Sequence, residues 1–203
     1  MTASKLTFVT TLLLALALSM ASLATPIPSE PRAIVERTAD AVVRLAERSE
    51  GRSELRAGLD GLLGDVVDFR TFGARSLKGQ WATLSEPEKA RFEVAFRGLV
   101  LSIYAKRIKP KTRFITRFRR DDVSLATSRV RVHTILESEG MGADVDYEFE
   151  RVAKGKVTQW RVNDLIIDGV SMVQTWRRGF KRVLKRDGFE GLIDKIERKA
   201  SRP

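Results

Sequence analysis

The spacing of apolar residues changes twice along this chain, and the two changes bound what it can fold into. Up to Ile108 apolar side chains recur at helical spacing, from Arg113 to Asp168 they alternate residue by residue, and beyond Gly169 the helical spacing returns. Pro110 and Gly169 stand at the two changes, where one period has to stop. A stretch that alternates presents two faces of a sheet, and one with helical period presents a single stripe, so neither can take the other's place. Helices, then a run of strands, then helices again is the order of an α+β domain, with the helices over one face of an antiparallel sheet.

The local signals agree. "SEPRAIVERTADAVVRLAER" offers Ser29 as a cap, Pro31 in its first turn, and Ile34, Ala41, Val42 and Leu45 on one face. "SELRAGLDGLLGDVV" and "DFRTFGARSLKGQW" continue with leucines and then Phe69, Phe72, Leu77 and Trp81. Ser85 with Glu88 opens the next helix as a capping box, and Phe92, Phe96, Leu99 and Ile103 line one side of it, with Tyr104 nearby. Four strands follow: "TRFITRFRR", "RVRVHTILE", "ADVDYEFERV" and "VTQWRVNDLIID", separated by turns at Asp121-Asp122, "ESEGMG" and "KGK". The spacing predicts a four-stranded antiparallel meander. Val130, Val132, Thr134 and Leu136 share one side with Ala143, Val145, Tyr147 and Phe149, and Trp160, Val162 and Ile166 are assigned to one side of the last strand. Arg129, Arg131 and His133 are expected to face Asp144, Asp146, Glu148 and Glu150 on a solvated polar side, at roughly 0.2–1 kcal/mol per cross-strand pair. After Gly169, Val173, Trp176, Phe180, Val183 and Leu184 follow one helical face, and "RDGFEGLIDKIERK" supplies a last short helix.

Residues 1–24 read as a secretory signal, with Lys5, the apolar run "FVTTLLLALAL" and the small residues Ser22 and Ala24; an uncleaved anchor is the rival reading. Residues 25–203 then form the folded α+β domain with its helical annex. The chain has no cysteine, which excludes a disulfide framework, a thiolate metal site and a lipidated leader, and fits a periplasmic protein free of any anchor. The formal net charge of +11 raises nucleic acid as a partner. Export argues for anionic membrane surfaces, lipid phosphates or an acidic protein instead, and a solubilising coat accounts for the charge equally well.

Few residues carry catalytic chemistry. Ser171 in "GVSMV" lacks the second glycine of a nucleophile elbow, and an N-cap role suits its place after a strand. His133, the one histidine, is expected on the exposed polar side of the sheet. No paired metal ligands, phosphate-cradling glycine loop or dinucleotide fingerprint is present, and no carboxylate has the apolar setting of an acid–base group. Arg177 and Arg178 read either as anion contacts or as a solvated helix face. The bulky apolar residues line a cavity or fill a core; composition does not distinguish the two.

"VVDFRTFGARSLKGQW", "RFEVAFRGLVLSIYAKRI" and "WRVNDLIIDGVSMVQTWRRGFKRVLKRDGFEGLIDKIERK" together resemble the MlaC, or toluene-tolerance, family of periplasmic phospholipid-binding proteins, from about Ala33 to Lys199. The resemblance implies an NTF2-like curved sheet with N- and C-terminal helices around a lipid cavity, no enzyme activity, and no cofactor besides bound phospholipid. It implies a soluble carrier that shuttles lipid between an inner-membrane ABC transporter bearing an MCE-domain protein and an outer-membrane lipoprotein–porin complex, maintaining outer-membrane asymmetry. The expected lining is Phe69, Phe72, Trp81, Phe96, Tyr104, Val132, Val145, Tyr147, Trp160, Val162, Ile166, Val173, Trp176 and Phe180, with Arg177 at a head-group rim. Release is expected to need movement of the helices, at Gly73, Gly79 or Gly169. Two departures from the family pattern, Lys78 inside "LKGQW" and Trp176 before Arg177, bear on lipid choice. A hopanoid-related lipid is the alternative cargo, a basic envelope adaptor the alternative function, and an envelope hydrolase is disfavoured for want of a catalytic set. Enclosing acyl chains is what such a carrier must do: at roughly 0.8 kcal/mol per CH₂, two chains of about sixteen carbons amount to roughly 25 kcal/mol against free passage through water.

Overall fold

The computed structural model describes residues 30–201 apart from 109, 112, 120–122, 127, 139 and 156. The proposed signal, the Ser29 cap and the Asp121-Asp122 turn lie outside the described residues. Helices α1 (Glu30–Arg48), α2 (Arg52–Gly64), α3 (Phe69–Leu77), α4 (Gln80–Thr83) and α5 (Glu86–Arg107) precede the sheet. Strands β1 (Ile115–Phe118), β2 (Val123–Ala126), β3 (Arg129–Ser138), β4 (Met141–Lys154), β5 (Val157–Ile167) and β6 (Val170–Ser171) follow, and α6 (Met172–Ser201) closes the chain. No helix among the described residues is long and apolar enough to cross a membrane.

Helices α3 and α5 start where the sequence places polar acceptors. The Ser85–Glu88 capping box is present: the Ser85 amide donates to Glu88 Oε2 at 2.7 Å, and the Glu88 amide donates to Ser85 Oγ at 3.4 Å. Asp68 caps α3 by accepting from the Thr71 amide at 2.9 Å. Helix α5 is buried on two sides, beyond the one face of Phe92, Phe96, Leu99 and Ile103 expected from its sequence. Phe92, Phe96 and Leu99 pack with α3 and α6, while Leu101 and Ala105 pack with Leu55 and Leu59 of α2 and Ala46 of α1. It is the central post of the helical layer.

The sheet is antiparallel, in the order β1-β3-β4-β5-β6, with β2 also paired to β3. The four strands expected from the alternation are β1, β3, β4 and β5 in that order; β2 and the two-residue β6 are additions. Residues 66–68 shield the edge of β5, the Val162 amide donating to the Val66 carbonyl at 2.8 Å and the Asp68 amide to the Val162 carbonyl at 2.9 Å. The apolar side of the sheet, with Val132, Phe149, Trp160 and Val162, is covered by Ile34 and Val35 of α1 and by Val66 and Val67.

Two expectations about the sheet are corrected. Between Glu148 and Phe149 the register of β4 on β5 shifts by one residue, so that Phe149 pairs with Val162 but Glu148 pairs with Asp164. Asn163 is the extra residue of a bulge. It stays on the polar side, donating to Glu150 Oε2 at 2.6 Å and accepting from Arg75. Beyond it the alternation is inverted: Leu165 joins the apolar side opposite Tyr147, and Ile166 sits opposite Asp146 on the polar side. Ile166 therefore does not share a face with Trp160 and Val162. His133 is not an exposed residue either. It is 3 % exposed, with Nδ1 2.8 Å from Asp146 Oδ1. The cross-strand pairing is as expected for Arg131 on Glu148 and His133 on Asp146, and Arg129 stands opposite Glu150; Arg119, which the alternation did not pair, places Nη1 2.5 Å from Asp144. Alternation reports direction, not cover, and on this side α3 and the first turns of α6 reach down onto β5.

Candidate functional site

The residues expected to line a cavity separate into two groups. Phe69, Phe72, Phe96, Val173 and Phe180 are buried in the cluster joining α3, α5 and α6, with Trp81, Tyr104 and Trp176 packed against it. Val132, Trp160 and Val162 belong to the cluster on the sheet, with Tyr147 packed against it. Val145 is buried on the same strand side as Tyr147, and Ile166 lies on the opposite side. Val67 packs against both clusters.

The helical cluster is built ring on ring. Phe96 stacks on Phe92 with centroids 5.6 Å apart and meets Phe72 and Trp176 edge-on at 5.4 and 5.8 Å. Phe180 meets both Phe92 and Phe96 edge-on, and stacks on Trp176 at 5.5 Å. Offset-stacked and edge-on pairs at these distances are the favourable arrangements of aromatic quadrupoles. Phe92 and Phe96 have no exposed surface, so the centre of this group is solid core. Gly73 is part of the packing: a β-carbon there would come within 2.8 Å of the Phe92 ring. Gly169, with φ of +78°, makes the β5–β6 turn.

Tyr104 of α5 and Tyr147 of β4 come together where the helical layer meets the sheet. Burial pushes the Tyr104 hydroxyl up to about 12, and the neighbouring Tyr147 phenol adds to it. Burial likewise raises Tyr147, partly offset by a hydrogen bond with Thr134. Both side chains nonetheless keep part of their surface open.

Two clefts open beside these groups. The first, of about 370 Å³, lies between α5 and the two limbs of α6, which bend at Gly188. Leu99, Trp176, Phe180, Val183, Leu192 and Ile196 line it, and Arg182, Arg186, Lys195 and Lys199 stand among them. Sequence reasoning missed these four cations; their signal is the recurrence of Lys and Arg between apolar positions of "RRGFKRVLKRDGF" and "DKIERK". The second cleft, of about 590 Å³, is polar and holds Arg75, Arg131, Arg177, Arg178, Glu148, Asp164, Ser171 and Gln174. Arg177 belongs to this second cleft. Its Nε and Nη2 donate to the Arg75 carbonyl at 3.2 and 2.8 Å, which caps the end of α3.

Ser171 caps α6: its hydroxyl oxygen accepts from the Gln174 amide at 3.1 Å and its proton goes to Asp164 Oδ2 at 2.6 Å. Asp164 Oδ1 accepts from the Val173 amide at 3.0 Å. No group of three or more metal-ligating side chains occurs among the described residues.

The fold matches that of the phospholipid-binding protein from Ralstonia solanacearum, solved in complex with a phospholipid. The TM-score is 0.73 at 18 % identity, over 83 % of this chain and 96 % of that one. No curated protein sequence matches this chain. The family model described as MlaC protein matches residues 35–198, which spans α1 through nearly all of α6. The chain belongs to the MlaC family.

Proposed function

We propose that this protein is a periplasmic phospholipid carrier that shuttles lipid between an inner-membrane transporter complex and an outer-membrane complex, and so maintains outer-membrane asymmetry. The observation that supports this most is membership of the MlaC family across residues 35–198. The fold it shares with a protein solved holding a phospholipid points the same way. The geometry fits an amphiphile with an anionic head. An apolar cleft bordered by Trp176 and Phe180 carries cations among its walls, and the same helical cluster reaches Tyr104 at its meeting with Tyr147. Acyl chains enter at the cleft and extend along the line where helices and sheet meet, lined by Tyr104, Val145 and Tyr147, as the helical layer moves.

The volume sets the mechanism. About 370 Å³ lies at the low end of small-ligand sites, so two acyl chains need α6 to move away from α5. The bend at Gly188, with φ of 69° and ψ of −168°, divides α6 into two limbs that can do so separately. As a carrier the protein performs no reaction; its partners are the MCE-domain protein of the transporter and the lipoprotein–porin complex. Purification under native conditions, organic extraction and mass spectrometry test it. Near-stoichiometric phospholipid is expected. A lipid-free protein that also takes up no phospholipid from vesicles would sink the proposal.

A further inference from the structure

We propose that the polar cleft between the end of α3, the polar side of β3–β5 and the start of α6 binds a phosphate group. Arg75, Arg131, Arg177 and Arg178 line one cleft of about 590 Å³. A guanidinium does not deprotonate in a protein, so the mutual repulsion of four of them is not relieved by loss of a proton. Among the described residues two carboxylates share the cleft, Glu148 and Asp164. Glu148 is divided between two cations: one oxygen accepts from Arg131 Nη2, and the other lies 3.7 Å from Arg75 Nη2. Asp164 is committed to the Ser171 hydroxyl and the Val173 amide. The further acids of this sheet side are also engaged, Glu150 with Asn163 at 2.6 Å and Asp146 with His133 at 2.8 Å.

Positive charge is left over. Arg177 donates to a backbone carbonyl and Arg178 to the Thr175 hydroxyl at 3.4 Å; among the described residues neither meets a carboxylate. Arg131 Nε is buried and meets no acceptor among the described residues. Arg75 and Arg131 each keep 33 % of their side-chain surface open, so both remain reachable from the cleft. The arrangement is also held in place. Asn163 accepts from Arg75, Arg177 ties α6 to the end of α3, and Asp164 secures the first turn of α6. Preorganised guanidiniums with surplus charge suit a tetrahedral oxyanion, whose oxygens accept charge-assisted, forked hydrogen bonds. The phosphate comes from solution or from a phospholipid head group. The inference rests on the carrier reading only for the second source.

Titration calorimetry of the purified protein with inorganic phosphate and with glycerol 3-phosphate, at ionic strength held by chloride, reads the site directly. Transfer of phosphatidylglycerol from vesicles reads the lipid source. Saturable phosphate binding is expected, at least tenfold weaker in R178Q and R131Q and unchanged within twofold in R113Q, an exposed cation outside the cleft paired with Glu47. Arg178 is exposed and its one side-chain bond is to Thr175, so R178Q keeps the test sound if R131Q fails to fold. No binding of free phosphate, with lipid transfer reduced at least fivefold in R178Q and unchanged in R113Q, assigns the site to head groups and supports the proposal. Phosphate binding sensitive to R178Q in a protein that takes no lipid supports the site and removes the carrier reading. Unsaturable binding that R113Q weakens as much as R178Q, or wild-type behaviour of R178Q in both assays, overturns it.

Discussion

Replacing Phe96 by Ala distinguishes a packed aromatic core from the wall of a ligand cavity, which the sequence leaves open. Phe96 has no exposed surface, and its ring touches those of Phe72, Phe92, Trp176 and Phe180 at centroid distances of 5.4 to 5.9 Å. Truncating such a ring removes the transfer free energy of its six carbons and leaves a cavity that four rings cannot collapse into, a loss of about 3–5 kcal/mol. For a domain of this size each kcal/mol lowers Tm by about 2–4 °C, so a loss of about 4 kcal/mol lowers it by roughly 8–16 °C. Thermal unfolding followed by circular dichroism on lipid-stripped protein measures the shift, and extraction with mass spectrometry measures lipid carried by the same variant. A fall of under about 3 °C, accompanied by loss of bound lipid, would show that the ring faces cargo and refute the core assignment.

Three further outcomes follow from the geometry. D164N replaces a buried acceptor of the Ser171 hydroxyl by an amide donor and weakens the start of α6; a loss of about 1–3 kcal/mol is expected as a lower urea midpoint at unchanged m value. Because burial, then Tyr147, raises Tyr104 from 10.0 to about 12, the folded state holds that proton more tightly than the unfolded chain. Its contribution is complete below about pH 10 and is lost as pH rises toward 12, so the wild type loses stability across that window and Y104F loses less, measured by urea unfolding at stepped pH. G188A forces a β-carbon onto a backbone at φ of 69° and ψ of −168°, a conformation close to exclusive to glycine; destabilisation of about 1–3 kcal/mol is expected, with increased amide exchange in 189–201.

The change of apolar period at Pro110 and Gly169 was enough to order helices, sheet and helix, because period is a property of each segment's own backbone. The Ser85–Glu88 box, the Ser171 cap and the facing of Arg131 with Glu148 were legible for the same reason: each joins residues near in sequence or opposite in a hairpin. The short strand β2 and the two-residue β6 were not, since each is too brief to show a period and exists through its partner strand. The pattern of "RGFKRVLKRDGF" shows a helix but not that Arg182 and Arg186 share a cleft with Lys195 and Lys199, which depends on the bend at Gly188.

By itself the sequence determined which residues point together along each element, and its motifs in order carried the family. Tertiary structure decided what stands opposite them. One extra residue at Asn163, held by Glu150 and Arg75, turned Ile166 to the polar side and brought Leu165 in. The approach of α3 and α6 to β5 put Arg75, Arg131, Arg177 and Arg178, spread over a hundred residues of chain, into one cleft. Side-chain direction is set locally by φ and ψ, whereas burial, ring contacts and the gathering of charge arise from surfaces that meet only once the chain has closed on itself.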